Sequence, residues 1–485
     1  MEHAPARIAK NTIFVFSARG SELLSGILII TLATRYLGAA GFGIYAFLWA
    51  LSAALSPLMA FGCARILIRD ISINRQKAPL YLTAGLMVNG VMTLAVFMAA
   101  LPIALAFGLG VPNVLFALCL AVLYQAFQVM TKTVTSVFTA YERMHYDLLI
   151  TVLTRSLSII FFIAAILGSL GLAGLFAALA AAHAAGLFAA LAILKRKFFR
   201  PQWRAHGRHM GHMLKESFPV ALSTFIGQGY RHINVFLLKA FQDFVQVSFY
   251  QAPQRIIAPL TMFPFSFLMA FAPSLARMAH NDSSFKQMNE AYLRIFKYII
   301  IISLPVCVYV TIYARELAGL LFGKEFIPAA CSFQILIWLL IPLLINALLN
   351  FVLISIKKQK VMAVGNGVAL VLNVVLGIPL IHYFGYVGAS IAYLGSSVGL
   401  VCVGFYFLHR YFGSVPIHRA VWKPACAGLL VYIGMHLTAP AVSMGVATAG
   451  FCAAYPVMLG VLRTFTHDEI RDFKRVFKGK IRRKP

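Results

Sequence analysis

Apolar runs of about twenty residues recur along the chain, separated by polar links too short to fold by themselves. A run of that length, coiled at about 1.5 Å per residue, spans the hydrocarbon core of a bilayer. Only helices and closed barrels satisfy their backbone groups in that medium. Of the 485 residues, 61% are hydrophobic and 12% charged, and the mean hydropathy is +0.84, an excess no soluble core of this size needs. The chain therefore reads as an all-α polytopic membrane protein. Fourteen spans are expected, near 11–34, 42–64, 80–107, 114–138, 148–168, 171–194, 217–239, 249–276, 293–313, 332–356, 362–384, 386–408, 421–438 and 440–462. The first run follows Arg7 and Lys10 without a small-residue cleavage pattern and reads as an uncleaved span.

The net charge of +28 invites a nucleic-acid reading, but the pattern of basic residues argues for topology instead. Numbering the spans in order places 33 of the 42 Lys and Arg on the side of the N-terminus, 5 on the opposite side and 4 within spans. Lys and Arg are retained on the cytoplasmic side, so both termini are expected there. Arg35, Lys239, Arg255, Arg315 and Lys324 are expected at the outer side. The central loop 195–216 and the tail 463–485 are basic enough to attract anionic headgroups. No nucleic-acid partner is expected.

Seven cysteines stand singly, mostly in apolar runs, and read as small packing residues. The motif HGRHMGH places His206, His209 and His212 at regular spacing, but in a basic segment without a carboxylate partner. No metal site, cofactor or catalytic residue is expected. No loop is large enough, or carries the paired carboxylates, to suggest a membrane-embedded polymerase or ligase.

Charges inside spans are the functional candidates, because such groups usually face a protein or water-filled interior. Arg19 and Glu22 fall in the first span, Lys132 in the fourth, Arg155 in the fifth and Arg231 in the seventh. Four cations against one carboxylate predict a net positive interior suited to an anion. Polar neighbours repeat at helical spacing: Gln125, Gln128, Lys132 and Thr135 or Ser136; Thr151, Arg155 and Ser158; Thr224, Gln228 and Arg231. Such stripes are expected to face a lumen. Arg19 and Glu22, one turn apart, could instead neutralise each other, and Lys132 and Arg155 could snorkel. His232 and His183 read first as packed polar residues, with Glu22 and His232 kept as candidates for ion coupling. Pro219, Pro264, Pro305 and Pro379 mark places where helices can kink.

The two halves echo one another. RYLGAAGFGIY (35–45) precedes MAFGCAR, and KAFQDFVQVSFY (239–250) precedes MAFAPSLAR; GLAGLFAALAAAHAAG (171–186) echoes GYVGASIAYLGSSVG (385–399). Repeats of about six spans are a transporter signature. Four segments carry a resemblance: RYLGAAGFGIYAF (35–47), INVFLLKAFQDFVQVSFYQAPQRI (233–256), LFGKEF (321–326) and NVVLGIPLIHYFGYVGASIAYL (373–394). In their order and placement the chain resembles the polysaccharide and oligosaccharide exporters, the lipid-linked-oligosaccharide (O-antigen-like) flippase branch of the multidrug/oligosaccharidyl-lipid/polysaccharide superfamily.

That resemblance implies two six-helix lobes around a central cavity, here 1–194 and 217–409, joined by the basic loop 195–216. The extra helices occupy 410–462 and the basic tail 463–485. It further implies a substrate made of a sugar chain on undecaprenyl pyrophosphate, a bacterial inner membrane, and a place among other polysaccharide assembly proteins. Relatives often carry an Asp where this chain has Asn234, so coupling through that acid does not transfer. The main rival is a drug or cation antiporter of the same superfamily, which would want carboxylates facing its cavity.

Overall fold

The computed structural model describes residues 4–200, 207–261, 285–355, 359–412, 418–438, 444–462 and 464. The first half comprises α1 (Ala4–Ala60), α2 (Cys63–Ile73), α3 (Ala78–Ala106), α4 (Pro112–Ala140), α5 (Met144–Leu167) and α6 (Gly171–Lys197). The second half runs through α7 (Gly207–Phe241), α8 (Phe244–Leu260), α9 (Phe285–Ile312), α10 (Ala314–Phe322), α11 (Ala330–Leu336), α12 (Leu340–Ser355) and α13 (Gln359–Phe412). Then come α14 (His418–Thr438) and α15 (Met444–Val461). Apart from end residues and the Phe61–Gly62 turn inside 42–64, the expected spans fall on helices where they are described, and no strand occurs among the described residues. Eight described helical stretches are long and apolar enough to cross a membrane. Pro264 and the MAFAPSLAR segment lie outside the described residues.

Two helices are longer than one crossing, and each contains a break at a glycine. Gly38 breaks α1 (φ 66°, ψ −176°) and Gly385 breaks α13 (φ 54°, ψ −130°). Gly171, at the start of α6, has φ 63°. All three open a G-x-x-G sequence, Gly38/Gly41, Gly171/Gly174 and Gly385/Gly388. Positive φ is the region a side chain resists and glycine enters freely, so these segments turn the chain back at one end of the bundle. This shared turn gives the echo between 171–186 and 385–399 a structural basis.

Each turn has a helix-starting N–H answered by a side chain from elsewhere. The N–H of Ala39 donates to Glu325 Oε2 at 3.0 Å, that of Gly171 to the Tyr36 hydroxyl at 3.1 Å, and that of Tyr386 to Gln246 Oε1 at 3.1 Å. Unanswered N–H groups at helix starts are costly to bury.

The halves pack through α1 on α8 and on α7. Close approach is set by Gly43, where a Cβ would run into the carbonyl of Phe244. Around it lie Phe47 with Phe236 (ring centroids 5.8 Å apart) and Phe244 (6.0 Å), and Phe42 with Phe326 (5.8 Å). A second apolar cluster occupies the opposite end, joining Leu67 of α2, Leu82 of α3, Phe138 of α4, Leu194 of α6 and Met213 of α7. Large apolar side chains stand exposed along α3, including Leu94, Met98 and Leu105, as on a lipid-facing helix.

Candidate functional site

Helices α1, α2, α4, α5 and α6 enclose a cavity of about 340 Å³, at the low end of the range for small-molecule sites. Gln128, Lys132 and Thr135 reach it from α4, and Asp147, Thr151 and Arg155 from α5. Glu22 of α1 and His183 of α6 complete its polar wall. The spacing of three or four between these side chains stacks them on one face of each helix. The side chain of Arg19 lies outside the described residues.

The expected excess of positive charge does not hold here. Lys132 Nζ lies 3.7 Å from Asp147 Oδ1, and Arg155 lies 3.9 Å from Glu22 Oε1. Two cations and two carboxylates among the described lining residues leave the cavity close to neutral. Asp147 was missed because it sits in the first turn of α5, just before the hydropathy-defined span, where a helix N-terminus favours an acid. Glu22 reaches across to α5 as well as lying one turn from Arg19.

Not every polar residue of the stripes faces the cavity. Gln125 and Ser136 are buried within the helix packing, and Ser136 donates to the carbonyl of Thr133 at 2.7 Å. Ser158 is fully buried and donates to Thr154 at 2.8 Å. A hydroxyl can satisfy itself on its own helix, which periodicity does not reveal. His183 is buried against Tyr124 (4.7 Å, edge-on) with Nδ1 3.0 Å from the Leu179 carbonyl, and still edges the cavity.

On the second half, Arg231 is exposed, and Gln228 is half-buried one turn earlier. Neither lines the cavity above. Gln254 of α8 donates to the Arg231 carbonyl at 3.2 Å, which sets α8 and α7 at the same depth. The next residue, Arg255, was expected in an outer segment. Helix α8 instead begins at Phe244, so Arg255 sits three turns inside it. Its guanidinium lies 4.0 Å from the Trp49 ring centre and 5.4 Å from that of Tyr45, both on α1. Nε and one terminal nitrogen are buried without a hydrogen-bond partner. His232, 4% exposed, meets the same indole edge-on at 5.6 Å. A cation stacked on Trp49 from the other half, with free donors, is what the hydropathy plot concealed.

Of the HGRHMGH histidines, only the His212 side chain is described. His206 lies outside the described residues, as does the His209 side chain, and His212 Nε2 faces Asp70 Oδ2 of α2 at 3.7 Å. Beside it Arg69 donates to Glu216 at 3.0 Å. No group of three or more His, Cys, Asp or Glu able to hold a metal occurs among the described residues.

The sequence model described as polysaccharide biosynthesis protein matches residues 8–279, more than half of the chain. The chain belongs to that family. A second model, MatE, matches residues 219–378. Among solved structures, the lipid II flippase MurJ in an inward closed conformation is similar at a TM-score of 0.75 and 14% identity, covering 93% of this chain and 98% of its own. An inward-facing multidrug resistance MATE transporter of the MOP superfamily aligns at 0.64 and 16%, covering 81% and 94%. A MOP superfamily transporter from Pyrococcus furiosus, described as having a binding pocket of reverse polarity, aligns at 0.56 and 16%, covering 84% and 96%. No curated protein matches by sequence. The family member described here thus has the fold of the MurJ and MATE structures.

Proposed function

We propose that this protein flips a lipid-linked oligosaccharide, carried on undecaprenyl pyrophosphate, across a bacterial inner membrane by alternating access, for surface polysaccharide assembly. The halves then act as lobes, 1–194 and 217–409, with both termini cytoplasmic and the G-x-x-G turns facing outward. The observation that carries the reading is the hydroxyl- and amide-lined cavity inside an otherwise apolar bundle. Gln128 and the threonines suit sugar hydroxyls, while guanidinium groups suit phosphate. Gln125 packs behind that wall and Gln228 lies on the second half, beside Arg231.

Pyrophosphate is met by Arg19, Lys132 and Arg155. Because Lys132 and Arg155 already face Asp147 and Glu22, the anion competes with these carboxylates and is held loosely enough to leave. Arg231 and Arg255, near mid-depth, receive the head group as the lobes separate. Glu22 and His232 are the candidates for coupling. Basic residues of the central loop and tail gather anionic lipid at the cytoplasmic face.

Flipping of a fluorescent undecaprenyl-pyrophosphoryl oligosaccharide in proteoliposomes tests the reading. Arg255→Gln should lower the rate at least roughly tenfold, as expected for losing a charge-assisted contact worth about 1.5–3 kcal/mol. Arg255→Lys should not rescue, because an ammonium cannot stack as a planar guanidinium does. Wild-type rates in both variants would remove Arg255 from the path.

A drug or cation antiporter is the second reading, favoured by the two cavity carboxylates, Glu22 and Asp147. It predicts that a cationic dye binds the protein and that Glu22→Gln with Asp147→Asn abolishes this binding. The flippase reading predicts no such dependence.

A further inference from the structure

The segments that carried the resemblance converge at one end of the molecule. Gly38 and Ala39 meet Glu325, Phe42 meets Phe326, Gly43 meets the Phe244 carbonyl, and Gln246 meets Tyr386. Of the three G-x-x-G turns, two are answered from within their own half, by uncharged groups: Tyr36 on Gly171, and Gln246 on Tyr386. The third is answered across the halves, and by a carboxylate: Glu325 on Ala39.

We propose that Glu325 is a releasable latch that holds the outer ends of the two lobes together in this closed state. The geometry is specific to a carboxylate seated on glycine. A Cβ at Gly38 would stand 2.9 Å from Glu325 Oε2 and push that carboxylate away from the Ala39 N–H, and the φ of 66° favours glycine there in any case. The N-terminus of the helical stretch after Gly38 carries partial positive charge, which favours an anion there. Arg35, three residues before Gly38, donates from its guanidinium to the Leu320 carbonyl, a second contact across the same seam.

Glu325, Arg35 and Lys324 are exposed, so water can take over both ends of each contact when the seam parts. Beneath, the Phe42–Phe326 pair excludes water while the seam is shut; both rings are fully buried. An exposed charged cap over an apolar plug opens without leaving a buried charge unpaired. That is the requirement for a gate cycled at every turnover, and a buried ion pair would not meet it. The inference rests on the reading of the protein as an alternating-access transporter.

The test uses full-length protein in nanodiscs, with its seven cysteines replaced and spin labels at Leu170 and Tyr383, both exposed at the latch end on opposite lobes. Glu325→Ala should raise the population with a long inter-label distance roughly three- to tenfold, the scale of a lost charged cap at a helix N-terminus. Glu325→Gln should fall between that and wild type, since an amide oxygen still accepts but carries no charge. Gln246→Ala removes the equivalent cap within one lobe and should leave the distance unchanged.

A wild-type distribution for Glu325→Ala, with unaltered elution and melting, overturns the latch. So does an equal shift from Gln246→Ala, which would mark a general loss of stability. Gly38→Ala should reproduce Glu325→Ala; if it does not fold, the variants at the exposed Glu325 decide alone. Flipping is read separately: altered distances without any oligosaccharide flipping would leave the latch standing and remove the flippase reading.

Discussion

Trp49 and Arg255 show how one residue's surroundings decide its role. A guanidinium between the two halves is costly to desolvate, and an aromatic face offsets part of that cost. Nε and one terminal nitrogen of Arg255 are thus left without a hydrogen-bond partner. Inside the cavity, by contrast, the cations already have acidic neighbours. Glu22→Gln should free Arg155 from a pair worth about 0.5–1 kcal/mol at this partial exposure, tightening lipid pyrophosphate binding roughly two- to fivefold. Equilibrium binding to protein in nanodiscs measures this, and weaker binding would show that Glu22 supports the site instead of competing for it. The cavity's cations were legible from sequence because charge in an apolar run stands out. Asp147 and Arg255 were not, since one precedes its span and the other lies in a helix that packs between lobes, where Gln246, Gln251 and Gln254 depress hydropathy.

Among the helices, packing distance is governed by small residues. In a bilayer, lipid is as apolar as leucine, so helices gain by close contact rather than by escaping water. Gly43 against the Phe244 carbonyl is such a contact across α1 and α8. Gly43→Ala should force these helices apart and destabilise the fold by about 1–3 kcal/mol, seen as a lower melting midpoint in detergent; an unchanged midpoint would mean the seam is looser than drawn. Span positions were legible because about twenty apolar residues have one physical meaning. The breaks were not. The sequence drew attention to prolines, yet the breaks inside α1 and α13 fall at Gly38 and Gly385, where a turn needs positive φ and no side chain advertises it.

At the scale of the molecule, charged contacts join the two halves at both ends. Opposite the latch, Arg69 of α2 holds Glu216 of α7, with His212 near Asp70 alongside. The Arg69 guanidinium keeps the Glu216 carboxyl below the usual carboxylate range. The pair is therefore intact at neutral pH and is lost only as pH falls through that depressed value. Labels at Ile73 and Gly211 should report a constant distance from neutral pH down to the ordinary carboxylate range and a longer one below it. Glu216→Gln should show the longer distance already at neutral pH. An acid response identical in Glu216→Gln would assign it to another group.

The stack of Trp49 between Arg255 and His232 also has an optical consequence. Indole emission depends on contact with neighbouring cations and imidazoles, and both neighbours here belong to the opposite half. With Trp203, Trp338 and Trp422 replaced, Trp49 alone would remain, and its fluorescence should brighten or shift each time the halves part. The protein thereby carries a built-in lamp at its seam, able to time turnover in unlabelled molecules.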